Sequence, residues 1–485
     1  MHHAPIIKPS PLASLFPILF LVGMLFATIH TFGSDALSGG SQVALLTTSA
    51  LCVFIGMTFY HVPWETFEKA MVKNIAGVAT AIIILLIIGS LSGAWMISGV
   101  VPTLIYYGMQ IIHPDFFLTC TCLICALVSV MTGSSWTTIA TIGIALLGIG
   151  RAQGFHEGWI AGAIISGAYF GDKISPLSDT TVLASSTTHT PLFTHIRYML
   201  ITTIPSLVIA LVLFTIIGLT CETSDTRHIT EFAGALSEKF VITPWLLIVP
   251  VVTGFLIAYR VPSIITLFLS TMLAGIFALL FQPTLLHEIA GSENIFRGAM
   301  ISLYGSTSLH TDNEILTELI ATRGMSGMLD TVWLILCAMC FGGTMTAGGM
   351  LNSITGYFVK CMKKRVSMVA STVASGLFLN LATADQYISI ILTGKMFSDI
   401  YQKKGYESRL LSRTTEDAVT VTSPLIPWNT CGMTQATILN VPTLVYLPYC
   451  FFNLISPLMS ILIAAIGYKI FQQKQTFAEE EKEKR

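Results

Sequence analysis

Asp172, Lys173 and Asp179 stand within eight residues of one another in "GAYFGDKISPLSDTTVLASS" (168–187), with Ser175, Pro176, Ser178, Thr180 and Thr181 among and beside them. Carboxylate and hydroxyl oxygens are hard ligands for an alkali cation, and a carboxylate that holds Na⁺ can hold H⁺ in its place. Pro176 lacks a backbone donor and breaks its helix, so freed carbonyls add to such a site. Asp179 has no lysine near it and is the carboxylate expected to be shared between the two cations, with Asp172 beside it and Lys173 offsetting the charge. The plainer reading of Asp172 and Lys173 is an adjacent ion pair that closes a helix end.

A second set of the same residue types lies 251 positions downstream. That offset lays Pro176 on Pro427, Ser178 and Asp179 on Asn429 and Thr430, and Trp136 on Tyr387. It also lays the hydroxyl-rich "TGSSW", with Ser134 and Ser135, on "TADQY", with Asp385. Each of these two stretches separates apolar runs that are short for a full crossing, which predicts re-entrant hairpins with polar tips. Ser135, Ser178, Thr180, Asn429 and Thr430 are therefore expected to complete one oxygen cage, with Asp385 isolated at its own tip. Trp136, Tyr387 and Trp428 read more simply as packing. Glu416 and Asp417 follow Arg413 closely enough to be helix-end charges paired locally. Most of the ten cysteines lie inside apolar runs and read as small packing residues. His189 and His195, six apart in a polar stretch, read as surface histidines.

The elements that must hold these residues are set by composition. The chain has 485 residues, 53% hydrophobic and 11% charged, with net charge −1, and a mean hydropathy of +0.75. Such a chain is an integral membrane protein with no sizeable soluble domain; its net charge says nothing about partners, and no nucleic-acid partner is expected. Apolar runs predict an all-α polytopic bundle of about eleven to thirteen membrane segments, some of them interrupted. Among the uninterrupted runs are 14–32, 43–59, 75–91, 198–220 and 261–281. The 251-residue offset divides the chain into a first repeat at 10–222, a connecting helix at 240–259, a second repeat at 261–473 and a charged tail at 474–485. Around the second tip the loops carry Lys360, Lys363, Lys364, Arg365, Lys403, Lys404 and Arg409, whereas the matching loops of the first half carry Arg151 alone. Short basic loops stay cytoplasmic, so the repeats are expected to be inverted and the carboxyl terminus cytoplasmic.

Inverted repeats with broken helices are a transporter architecture, because loosened backbone is tolerated at membrane depth only where it lines a protected, hydrated site. "GDKISPLSDTT", the "GSSWTT" tip, "RGMSGMLDTVWLI" (323–335) and "SPLIPWNTCG" (423–432) resemble the NhaC-type sodium/proton antiporters of the ion transporter superfamily. The resemblance runs over roughly residues 10 to 470. It departs from the usual pattern at Val182, where members carry Asn, and at Thr137, where they carry Gly. It implies a secondary active transporter of the cell membrane, without cofactor or enzymatic step, that exchanges Na⁺ for H⁺ at Asp172, Ser135, Ser178, Asp179, Asn429 and Thr430. A coupled carrier of a small carboxylate or amino acid stays open on the same scaffold, with Lys173 and the polar tips holding the substrate. A homodimer is also left open.

Overall fold

Long apolar runs become long helices because a backbone in lipid must satisfy its own hydrogen bonds. The computed structural model describes residues 9–32, 39–221, 226–291, 294–307, 309–311, 313–362 and 364–470; the charged tail at 474–485 lies outside them. Among the described residues eight helices are long and apolar enough to cross a membrane, the longest being Leu192–Thr220 with 29 residues. Two bent pairs raise the count to as many as ten: Glu231–Lys239 with Pro244–Ala258, bent by 87°, and Thr443–Tyr449 with Phe451–Ile466, bent by 55°. The rest of the apolar sequence lies in shorter, interrupted helices. Large side chains such as Phe26, Leu127, Val212, Leu280 and Leu458 face outward, as a lipid-facing surface requires. Among the described residues the extended backbone amounts to one isolated bridge between Thr307 and Thr322. The run at 75–91 differs from expectation: Val78 separates helix Trp64–Gly77 from helix Ala79–Ile97.

Local structure recurs at the 251-residue spacing in detail. At the first tip Gly133 is left-handed (φ 67°) and Ser134 caps the next helix through its side chain; at the second Ala384 is left-handed (φ 58°) and Asp385 is the cap. Thr132 and Thr383 each accept a hydrogen bond from the N–H two residues on, and each meets a hydroxyl six residues on, Thr138 and Ser389. Ser178 and Asn429 cap the helices Asp179–Thr187 and Thr430–Leu439 that follow the two prolines.

Glycine sets how closely the elements around the first tip approach. Helix Glu157–Ile174 packs along helix Phe117–Thr132, and a Cβ on Gly167 would stand 2.1 Å from the Cys122 carbonyl. On Gly171 it would stand 2.5 Å from Ser129 Cβ. Small residues at such a seam let two helix backbones meet in lipid. Cys122 and Cys125 are buried in the same seam.

Candidate functional site

The first tip and the Pro176 break meet at Asp172. The N–H and hydroxyl of Ser135 donate to its Oδ2 at 3.2 and 2.6 Å, and the Ser178 hydroxyl donates to its Oδ1 at 2.6 Å. Ser178 Oγ in turn lies 3.0 Å from Thr180 Oγ1. Helix Glu157–Ile174 ends beside Asp172 because Ser175 turns to extended backbone (φ −75°, ψ 131°) ahead of Pro176. The freed end is held by the Thr181 hydroxyl, which donates to the Lys173 carbonyl at 2.9 Å. Asp172 is thus almost fully buried between two helix breaks, its carboxylate accepting from two hydroxyls, with Thr180 one contact further out on Ser178.

A cavity of about 410 Å³ reaches this group. Its wall includes Asp172, Asp179, Thr180, Ser134 and Trp136, with Gln386 and Tyr387 from the second tip. Asp179 is exposed to it as the first residue of its helix. The two aromatics read from sequence as packing are therefore wall residues, while Trp428 does pack, its indole N–H donating to the Leu381 carbonyl at 2.9 Å.

The second tip forms a separate centre. Asp385 Oδ1 accepts from the Ile388 N–H at 2.9 Å and Oδ2 from the Thr430 hydroxyl at 3.1 Å. Thr430 N–H donates to the Ala384 carbonyl at 2.8 Å. Asn429 donates from Nδ2 to the Asn380 carbonyl (3.2 Å) and accepts from the Cys431 N–H (3.1 Å). The single cage expected from sequence is instead two centres, one per half, each with its own buried carboxylate. Asn429 and Thr430 are taken up by their own helix cap and Asp385, and neither is on the cavity wall, to which the second tip contributes Gln386 and Tyr387.

Lys173 corrects a second expectation. It turns away from its neighbour Asp172 and, fully buried, forms an ion pair with Asp417 from the other half. Asp417 Oδ1 also accepts from the Thr202 and Ser456 hydroxyls, each at 3.1 Å, and Arg413 Nε lies 3.9 Å from Oδ2. The Arg413 guanidinium is stacked 4.6 Å from the Tyr198 ring centroid. Asp417 is therefore paired across the molecule as well as locally, and with Glu416 it lies on a single π turn, Glu416–Thr420, wholly inside the protein. His195 is interior too, its Nδ1 2.7 Å from Ser412 Oγ, whereas His189 is exposed. Sequence reasoning missed this charged interior. The available signal was Arg413 four residues before Asp417, with Glu416 between them, leading into the uncharged hydroxyl and apolar run 418–440.

A profile of the Na+/H+ antiporter family matches residues 167–468, which include the Pro176 break, the second tip and the buried charges. The chain belongs to that family. It is 36% identical to the Na(+)/H(+) antiporter NhaC of Bacillus subtilis (strain 168), over 88% of this chain and 91% of that one. With the Na(+)/H(+) antiporter NhaC of Alkalihalophilus pseudofirmus it shares 36% identity over 94% of this chain and 96% of the relative. With the malate-2H(+)/Na(+)-lactate antiporter of Bacillus subtilis it shares 35% over 98% and 99%. The family is one of multi-pass membrane transporters, in agreement with the helices described above.

Proposed function

We propose that this chain exchanges Na⁺ for H⁺ across the cell membrane, with Asp172 as the carboxylate that the two cations share. The observation that carries the reading is the Asp172 centre: a buried carboxylate held by the Ser135 and Ser178 hydroxyls, with Thr180 beside Ser178, on the wall of a cavity. A bound Na⁺ would replace the hydroxyl hydrogens that Asp172 now accepts, and those hydroxyls would turn their lone pairs to the ion. Asp179, exposed on the cavity wall, attracts the cation toward this centre. The sequence favoured Asp179 for the shared role; the geometry favours Asp172, because competition between H⁺ and Na⁺ is sharpest where water is excluded. The family and its NhaC relatives support the pair of cations. The basic loops beside the second tip support a cytoplasmic carboxyl terminus.

A second reading, ion-coupled transport of a small carboxylate, is favoured by the malate and lactate antiporter among the relatives. A further cavity of about 440 Å³ has the size for such an anion, although its wall carries Glu318 and Asp330 as well as Arg323 and an Arg151 already paired with Glu157, so its charge does not select one. Lys173 is not its anchor, since Asp417 already holds it. Purified protein in proteoliposomes separates the two. An imposed Na⁺ gradient should move H⁺ in the opposite direction without any organic solute. Flux that requires a carboxylate or amino acid would replace the first reading by the second.

A further inference from the structure

The buried carboxylates differ in how they are satisfied. Asp172 accepts three hydrogen bonds, Asp385 two, and Asp417 is held by Lys173, Thr202 and Ser456. Glu416 has no exposed surface, and neither of its carboxyl oxygens meets a donor at full hydrogen-bond geometry; the one hydroxyl beside it, Thr420 of its own turn, is likewise unpartnered. The charged groups that face it are Lys173 and Asp172, from helix Glu157–Ile174, and Asp417 on its own turn. Lys173 is engaged by Asp417, and Arg413 from helix Ser408–Thr415 also pairs with Asp417. Five further helices touch the turn: Asp179–Thr187, Leu192–Thr220, Arg365–Thr383, Gln386–Lys403 and Phe451–Ile466. Their charged residues, Asp179, Arg197, Arg365, Lys395, Asp399 and Lys403, are at partly or fully exposed positions, and they add His195 and the tyrosines Tyr198, Tyr387 and Tyr401. An ionised carboxylate without donors is the costliest arrangement a protein interior can hold, and a proton on it removes that cost.

We propose that Glu416 is a second proton-binding carboxyl, separate from the Asp172 centre, that loads and releases H⁺ during each transport cycle. Its setting supplies the means of release. Lys173 lies next to Asp172 in sequence and faces both Glu416 and Asp417, so it can change partner from one to the other while Arg413 keeps Asp417 paired. With Lys173 turned to it, the Glu416 O–H bond breaks, its electron pair stays on the carboxylate and the proton passes to water. A π turn, one residue wider than the helix around it, is a recurrent device for holding a side chain out of helical register at a working site. The proposal rests on the Na⁺/H⁺ reading for the direction of flux, though not for the state of Glu416.

The test uses purified protein in proteoliposomes, measuring H⁺ and Na⁺ fluxes together, with infrared difference spectroscopy of the same preparations. Glu416→Gln should still carry Na⁺ but lose one H⁺ per Na⁺ relative to the parent protein. The C=O band of a protonated buried carboxyl should appear in the parent on acidification and be missing in Glu416→Gln. Glu416→Asp, which keeps the carboxyl, should keep the flux ratio and shift the band, and it serves if the Gln variant does not fold. An unchanged flux ratio in Glu416→Gln, or a band that neither Glu416→Gln nor Glu416→Asp alters, would overturn the proposal. If the parent moves no Na⁺ against H⁺ at all, the transport reading fails by itself; a titrating band that depends on Glu416 still supports the proton site, and its absence overturns it.

Discussion

At the scale of single residues, groups that stand side by side in the sequence do different work: Asp172 is held by hydroxyls, and its neighbour Lys173 by Asp417. Ser135 and Ser178 each give one hydroxyl to Asp172, so replacing either by Ala should weaken apparent Na⁺ affinity by about 1–2 kcal/mol, roughly a tenfold effect, without loss of folded protein. Flux assays across a Na⁺ series check this, and unchanged affinity in both variants would move the cation elsewhere. Lys173 is held by Asp417, and removing one partner of a buried pair strands the other. Asp417→Leu strands Lys173 and Arg413 together and should therefore cost about 3–5 kcal/mol of stability, while Lys173→Met, which leaves Asp417 with Arg413, should cost less. Thermal unfolding in detergent reads both. Asp172, Ser134, Ser135, Pro176 and Ser178 were legible in the sequence because their chemistry and their helix break lie within local stretches. The partner of Lys173 was not legible, because it stands 244 residues away and only tertiary packing brings it there.

At the scale of elements, the polar tips show why the repeat could be read before the fold was seen. Gly133 and Ala384 occupy the same left-handed position, φ 67° and 58°, and the hydroxyl pattern around them recurs at one spacing. Such turns depend on a few adjacent residues, which is what a sequence offset detects. The π turn at Glu416–Thr420 has no such local signature. Its counterpart in the first half, within Glu157–Ile174, is ordinary helix, so symmetry gave no hint of it. At Gly133 a Cβ would lie 2.7 Å from the Leu177 carbonyl carbon and Cβ, in a backbone conformation that costs an L-residue about 1–2 kcal/mol. Gly133→Ala should lower the unfolding temperature and reduce transport together, since the same contact seats the tip against the Pro176 break. A variant with parental stability and flux would show that the tip is not held by this approach.

At the scale of the whole molecule, the Asp172 centre and the second tip's Gln386 and Tyr387 meet at one cavity, and the Lys173–Asp417 ion pair links distant parts of the chain. Span number was the least legible part: apolar length alone does not distinguish a helix that crosses from one broken at Val78 or Pro176. An experimental structure should superpose residues 10–222 on 261–473 about a two-fold axis in the membrane plane, and parallel halves would reject that relation. The central claim, that one buried carboxylate is shared by Na⁺ and H⁺, is tested most directly by apparent Na⁺ affinity as a function of pH in proteoliposomes. In the acid range where Asp172 is protonated, affinity should weaken close to tenfold per unit fall in pH for each proton displaced, as linkage requires. Asp172→Asn should abolish Na⁺-driven H⁺ movement. An Asp172→Asn protein that retains pH-dependent Na⁺ exchange would contradict the account.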